Sequence, residues 1–199
     1  MALDFSKFKA IKAEAEEKAF KRQEEQKEEQ KQRNQLAKKF WKEIVDSFIA
    51  ELDEETIQDT FNEIFRNMYI LSAPGKGELK GETYSIELQI YYKLIDVDYG
   101  SEIYDPQFLF KIDANYNNGF EDPQNICDRE FDIEGDYAKI YFTLRQMCNY
   151  VIDEGMVRIE QHLKDLGLKI IASDAEVDNG ECEGNLLFEI DTQPFFVEN

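Results

Sequence analysis

Residues 1–73 contain neither glycine nor proline. Ala, Glu, Lys and Gln dominate that stretch, so its local preference is helix, and nothing in it would break one. The apolar spacing then divides it. Leu3, Phe5, Phe8, Ile11 and Phe20 are sparse, and residues 21–35, KRQEEQKEEQKQRNQ, hold no apolar side chain. Such a segment buries nothing: as a helix it is a solvated rod of about 22 Å, held by Glu and Lys one turn apart, and it frays if nothing supports its ends. From Leu36 onward Phe40, Trp41, Ile44, Val45, Phe48, Ile49 and Leu52 recur at three- and four-residue steps, the stripe of a helix that joins a core. Asp53 is placed to cap a second helix, with Glu54 and Glu55 in its first turn and Ile57, Phe61, Ile64, Phe65 and Met68 as its buried stripe. Ala73-Pro74-Gly75 ends it.

The period then changes to two. Tyr84, Ile86, Leu88, Ile90, Tyr92 and Leu94 alternate with Ser85, Glu87, Gln89, Tyr91, Lys93 and Ile95, which predicts a long strand with one face on a core. Phe108, Phe110 and Ile112 predict a shorter partner, joined by the acidic segment Asp96–Pro106 as an antiparallel pair. From Asp136 to Leu166 the spacing is helical again, with Gly155 as a split or kink and Gly167 as the C-terminal cap. Leu168–Ala172 and Leu186–Ile190 predict two more strands around Asp178-Asn179-Gly180, and the residues from Thr192 read as a tail. The expected architecture is α+β: N-terminal long helices, then a small, mostly antiparallel sheet in ββαββ order packed by a long helix. Residues 1–35 form a charged helical arm and residues 36–199 an acidic α+β domain.

The charge is divided along the same line. Residues 1–50 carry 12 basic and 10 acidic side chains, 12 − 10 = +2, so the net charge of −20 leaves −22 for residues 51–199. Duplex DNA carries one charge per ~1.7 Å, so a surplus of 22 matches about 37 Å of duplex. A compact domain of 199 − 50 = 149 residues is about 38 Å across. Despite the charge, 42% hydrophobic and 13% aromatic residues are enough for a core. No run of eighteen apolar residues and no signal-peptide pattern is present, which predicts a soluble, cytoplasmic chain without a membrane role. Cys127, Cys148 and Cys182 lack CxxC spacing, so they read as reduced and structural.

Catalytic chemistry finds little to use, and the expectation is a non-enzymatic protein without metal or cofactor. His162 is the sole histidine, so every Ser-His or Cys-His arrangement would depend on it, and its place among Ile159 and Leu163 fits a partly buried structural residue. Asp113, Asn115 and Asn117 have calcium-loop spacing, but Asn118 stands where glycine is required and Gln124 where a bidentate Glu is required, leaving a polar turn. Gly75-Lys76-Gly77 lacks the rest of a phosphate-binding loop, and Glu78-Leu79-Lys80 is a nuclease-like tripeptide expected by chance in so acidic a chain. A domain at −22 repels the nucleic-acid polyanion, which argues against direct DNA or RNA binding.

The acids remain. Asp96, Asp98, Glu102 and Asp105 fall in one predicted connection, and Asp174, Glu176, Asp178, Glu181 and Glu183 in another. A third stretch holds Glu121, Asp122, Asp128, Glu130, Asp132, Glu134 and Asp136. One reading is solvated loops. The other is a phosphate-like array for a basic partner surface, with Tyr99, Tyr104, Tyr116 and Tyr137 as rigid contact area. The first two groups are the candidate partner-binding residues, the partner being a basic protein surface such as that of a nucleic-acid-binding enzyme. Phages and mobile elements encode small acidic inhibitors that disarm restriction or CRISPR enzymes, and the likeness here is one of charge alone. The alternative is a scaffold acting through residues 1–35, whose apolar side chains would pair with a second copy or dock on a partner.

Overall fold

A computed structural model describes residues 5–71, 85–98, 104–116, 124–132, 139–178 and 180–192. Helix α1 runs unbroken from Phe5 to Glu51, 47 residues or about 70 Å. Residues 10–35 are exposed throughout, and pairs such as Lys18–Glu14 at 2.7 Å and Lys21–Glu17 at 2.6 Å support them one turn apart. The apolar-free segment is therefore ordered helix, held at its C-terminal end by the part of α1 that enters the core. Burial begins at Leu36 and deepens through Ala37, Phe40, Trp41, Ile44, Val45 and Phe48. The Thr56 N–H donates to Asp53 Oδ1 at 2.7 Å, capping α2 (Glu54–Leu71), whose Ile57, Phe61 and Ile64 are buried. The side chains of Phe65 and Met68 lie outside those described. So do residues 72–84, with Ala73-Pro74-Gly75, Gly75-Lys76-Gly77 and Glu78-Leu79-Lys80.

Five strands follow: β1 (Ser85–Asp98), β2 (Tyr104–Tyr116), β3 (Gln124–Asp132), β4 (Ile170–Asp178) and β5 (Glu183–Asp191). Their order is β3-β2-β1-β5-β4, and every neighbouring pair is antiparallel. The α+β class stands, but the expected ββαββ order gains a strand. The third acidic stretch, read as loop, contains β3, an edge strand whose apolar residues are only Ile126, Cys127 and Phe131. Asp113 and Asn115, read as the start of a polar turn, continue β2 after a register shift between Ile112 and Asp113. Asn117 and Asn118 lie outside the described residues.

One face of the sheet is the core. Ile86, Leu88, Ile90, Tyr92 and Leu94 of β1, Phe108, Phe110 and Ile112 of β2, and Leu186, Phe188 and Ile190 of β5 are all buried. Trp41 and Phe48 of α1 lie on them, with ring centroids 5.6 Å apart for Trp41–Phe108 and 4.6 Å for Phe48–Phe110.

The single helix expected from Asp136 to Leu166 is broken within its described part. It divides into α3 (Tyr141–Gln146), a turn, a π-helical turn (Val151–Gly155) and α4 (Met156–Asp165). The break has a visible cause, because the Leu144 carbonyl accepts the Trp41 indole N–H at 3.1 Å in addition to the Met147 N–H at 3.0 Å. Gly155 sits where a Cβ would lie 2.8 Å from Val45 Cγ2, so it permits close approach to α1. At the end of α4, Gly167 has φ +86°, its N–H donates to Lys164 O and the Leu168 N–H donates to Leu163 O. That is a Schellman cap, closed by buried Leu163 and Leu168.

Candidate functional site

The helices described here pack on the core face, and the opposite face of the sheet is built from the alternate residues. The cross-strand register assembles it in rows. Glu130, Leu109, Lys93, Glu183 and Asp178 lie side by side across all five strands. Asp128, Lys111, Tyr91, Asn185 and Glu176 form the next row, and Asp113, Gln89, Leu187 and Asp174 the one after. Glu87 and Glu189 face each other beyond them. Among these residues nine are carboxylates and two are lysines, 2 − 9 = −7.

Both lysines are engaged within the face. Lys93 Nζ donates to Glu183 Oε2 at 2.5 Å, and the Tyr91 hydroxyl donates to the same oxygen at 3.1 Å. The lysine bond holds the Glu183 carboxyl below the usual range and raises the Lys93 ammonium. Partial burial, and then the bond to Glu183, push the Tyr91 hydroxyl up. Lys111 lies 3.1 Å from Asp113 Oδ2. Asp113 Oδ1 is shielded from solvent and has no hydrogen-bond partner among the described residues. Elsewhere the Gln89 amide donates to Asn185 Oδ1 at 2.9 Å and the Ser85 hydroxyl to Glu189 Oε1 at 2.6 Å, which fix these side chains across β1 and β5.

The candidate residues are placed differently from expectation. Asp174, Glu176 and Asp178 are not in a loop but alternate along edge strand β4, and Glu183 begins β5. Only Glu181 belongs to the turn, where Asp178 Oδ1 accepts its N–H at 3.2 Å and that of Gly180 at 2.7 Å. Asp96 and Asp98 belong to β1 and Asp105 to β2, with Asp96 opposite Pro106, Asp98 opposite Tyr104 and Val97 opposite Asp105. Their side chains, and all of Glu102, lie outside what is described. Among the tyrosines named with them, Tyr104 and Tyr116 end β2, while Tyr99 and Tyr137 lie outside the described residues.

Topology nevertheless unites the two acidic groups. β1 runs antiparallel to β2 and to β5, and Lys93 pairs Glu183 while Ser85 pairs Asp191. The β1–β2 and β4–β5 connections therefore leave from the same end of the sheet. Sequence reasoning missed Glu87, Asp113 and Glu189 as members of the face, and it named Asp128 and Glu130 in the third acidic stretch without counting them among the candidate partner-binding residues. For Glu87 and Glu189 the signal was present, since each alternates with buried residues of its strand.

Other candidate chemistry has structural employment. His162 Nε2 lies 2.7 Å from the Leu52 carbonyl, to which it donates, and so ties α4 to the end of α1. Among the described residues no group of three His, Cys, Asp or Glu is arranged to hold a metal, and no helix is long and apolar enough to cross a membrane. No family model, curated protein or solved structure matches the chain.

Proposed function

We propose that the acidic sheet face, with the acidic hairpin ends beside it, is the contact surface of a non-enzymatic cytoplasmic protein that binds a basic surface of a partner. The partner envisaged is a nucleic-acid-binding enzyme of the host-defence type, whose groove the acidic face occupies in place of nucleic acid. The observation that carries this reading is the net −7 of the face. Five strands ~4.8 Å apart and six residue steps of ~3.4 Å give a face of about 19 by 20 Å. Over ~20 Å a duplex presents about 12 phosphates, roughly half of them to one side. The two densities agree.

Part of this arrangement is unfavourable to the isolated sheet. Asp178 lies directly opposite Glu183, where like charges are unfavourable, and its charge opposes that of Glu183. Asp174, Glu176 and Asp178 repeat every ~6.8 Å along β4, a repulsion of about 0.6 kcal/mol per neighbouring pair even in bulk water. A basic partner relieves both. It would be attracted at long range, with an association rate that falls steeply with salt.

The test is competition with duplex DNA for a panel of purified basic nucleic-acid-binding proteins. Binding that is displaced by DNA, and lost when Asp174, Glu176, Asp178 and Glu183 become amides, supports the reading. Binding indifferent to those changes overturns it.

A second reading has its own observation. Ile11 and Phe20 are 66% and 59% exposed on the free part of α1, which favours a scaffold whose arm pairs with another copy or docks on a partner. Deleting residues 1–35 separates the two, abolishing assembly in the scaffold reading and sparing binding in the masking one.

A further inference from the structure

Cys148 and Cys182 are far apart in sequence, yet the fold buries both side chains in one part of the core, within hydrogen-bonding reach of each other, and neither is in a disulfide. The backbone fixes both from one strand. The Tyr92 hydroxyl donates to the Cys148 carbonyl at 3.3 Å, and the Leu94 N–H donates to the Cys182 carbonyl at 3.0 Å. Cys182 also has φ 55°, the only positive φ at a non-glycine among the described residues. Glycine or asparagine is the ordinary occupant of that conformation, and a cysteine there persists only where its surroundings hold it. The residue stands at the β4–β5 turn with its side chain buried against Cys148.

We infer that Cys148 and Cys182 are an oxidisable dithiol, a modification site at which a peroxide converts the pair to an intramolecular disulfide. The hydrogen bond from Cys182, with the Cys148 and Asn149 N–H groups and Arg145 nearby, favours the Cys148 thiolate as the attacking group. It attacks one peroxide oxygen, the O–O bond breaks, and with one proton the first water leaves. Cys148 is then a sulfenic acid. The Cys182 sulfur attacks that sulfur, gives up its proton and displaces hydroxide as the second water. Two thiols are oxidised and one peroxide is reduced to two waters. Closing the two sulfurs to a bond of ~2.05 Å calls on irregular backbone at both ends, Cys148 in the turn after α3 and Cys182 in the hairpin turn. The same irregular segments are where local opening admits a small oxidant. The product ties the turn that carries Glu181, between Asp178 and Glu183, to the helical layer. This inference rests on the fold and not on the proposed partner.

The test treats the folded full-length chain with hydrogen peroxide, blocks remaining thiols under denaturing conditions and maps the non-reduced digest by mass spectrometry. The expected product is about 2 Da lighter, with a Cys148–Cys182 linked peptide and Cys127 still a thiol. Its folding equilibrium constant rises by several hundred-fold for the roughly 35-residue loop closed, reversibly with dithiothreitol. With Cys182→Ser, oxidation stops at a Cys148 sulfenic acid that dimedone traps. Links through Cys127, sulfinic acid on Cys148 beside a free Cys182 in the native chain, or two unreacted thiols at doses that oxidise methionine would each overturn the inference.

Discussion

The contact between the π-helical turn and α1 supplies a prediction with a calculable sign. In Gly155→Ala the new Cβ meets Val45 Cγ2 at 2.8 Å, whereas carbon atoms prefer ~3.5–4.0 Å, so a further separation of roughly 0.7–1.2 Å is needed. Val45 is fully buried, and α1 is pinned on either side by Trp41 and Phe48, so the helix has little freedom to retreat. Overpacking of this kind costs about 1–3 kcal/mol, while replacing a helical glycine by alanine returns about 0.5–1 kcal/mol. The net expectation is a destabilisation of up to about 2.5 kcal/mol, centred near 1 kcal/mol. Val45→Ala alone leaves a cavity and also destabilises. In the double variant the obstructing methyl is gone and the new Cβ fills part of the cavity, so Gly155→Ala becomes neutral to stabilising. The coupling energy is then about 2 kcal/mol in the favourable direction. Urea unfolding followed by the fluorescence of the one tryptophan, Trp41, measures all four proteins, since that ring lies beside the contact in the core. Additivity to within about 0.5 kcal/mol would refute the argument.

Three further outcomes follow from single contacts. Gly184→Ala brings a Cβ within 2.6 Å of the Tyr92 hydroxyl and 2.8 Å of the Glu176 carbonyl, and because the second obstacle is backbone, Gly184→Ala still lowers the denaturation midpoint in a Tyr92→Leu background, by less than it does in the parent. Trp41→Phe removes the indole donor to Leu144 O and should cost about 1–3 kcal/mol in urea unfolding followed by circular dichroism. Asp53, Glu160 and Glu183 are held below their ordinary pKa by hydrogen bonds from the Thr56 N–H, Lys164 and Lys93, respectively. Their folded values lie below their unfolded ones, so their contribution is complete above about pH 4.5 and is lost as the pH falls through the depressed values. The triple variant with Asn, Gln and Gln should show a shallower loss of stability from about pH 4.5 to 2 by urea titration, and an unchanged slope would contradict this.

Legibility in the sequence followed the range of the interaction. The stripe of α1, the Asp53 cap and the Gly167 cap each depend on residues within a turn or two of one another, and each lies where the spacing placed it. The β1 alternation was equally local. β3 was not, since Asp128, Arg129 and Glu130 interrupt its few apolar residues and its strand conformation comes from pairing with β2. The break after α3 escaped for the same reason, because its cause is an indole in α1. The acidic site suffered most. Sequence reasoning grouped acids by contiguity, whereas the sheet groups them by register, so that Glu130, Glu183 and Asp178 share one row across the face.

The central claim is that this row-wise arrangement, and not bulk acidity, recognises a cationic surface. The direct measurement compares two full-length variants of equal net charge. One converts Asp174, Glu176, Asp178 and Glu183 to amides, and the other converts Glu14, Glu16, Glu17 and Glu24 of the exposed arm. Against a basic nucleic-acid-binding protein at low salt, the sheet variant should bind about 10- to 100-fold more weakly with a flatter salt dependence, as expected for four partly exposed charge contacts, and the arm variant should bind like the parent. Equal weakening by both, or a parent chain that ignores every cationic protein at low ionic strength, would contradict the account.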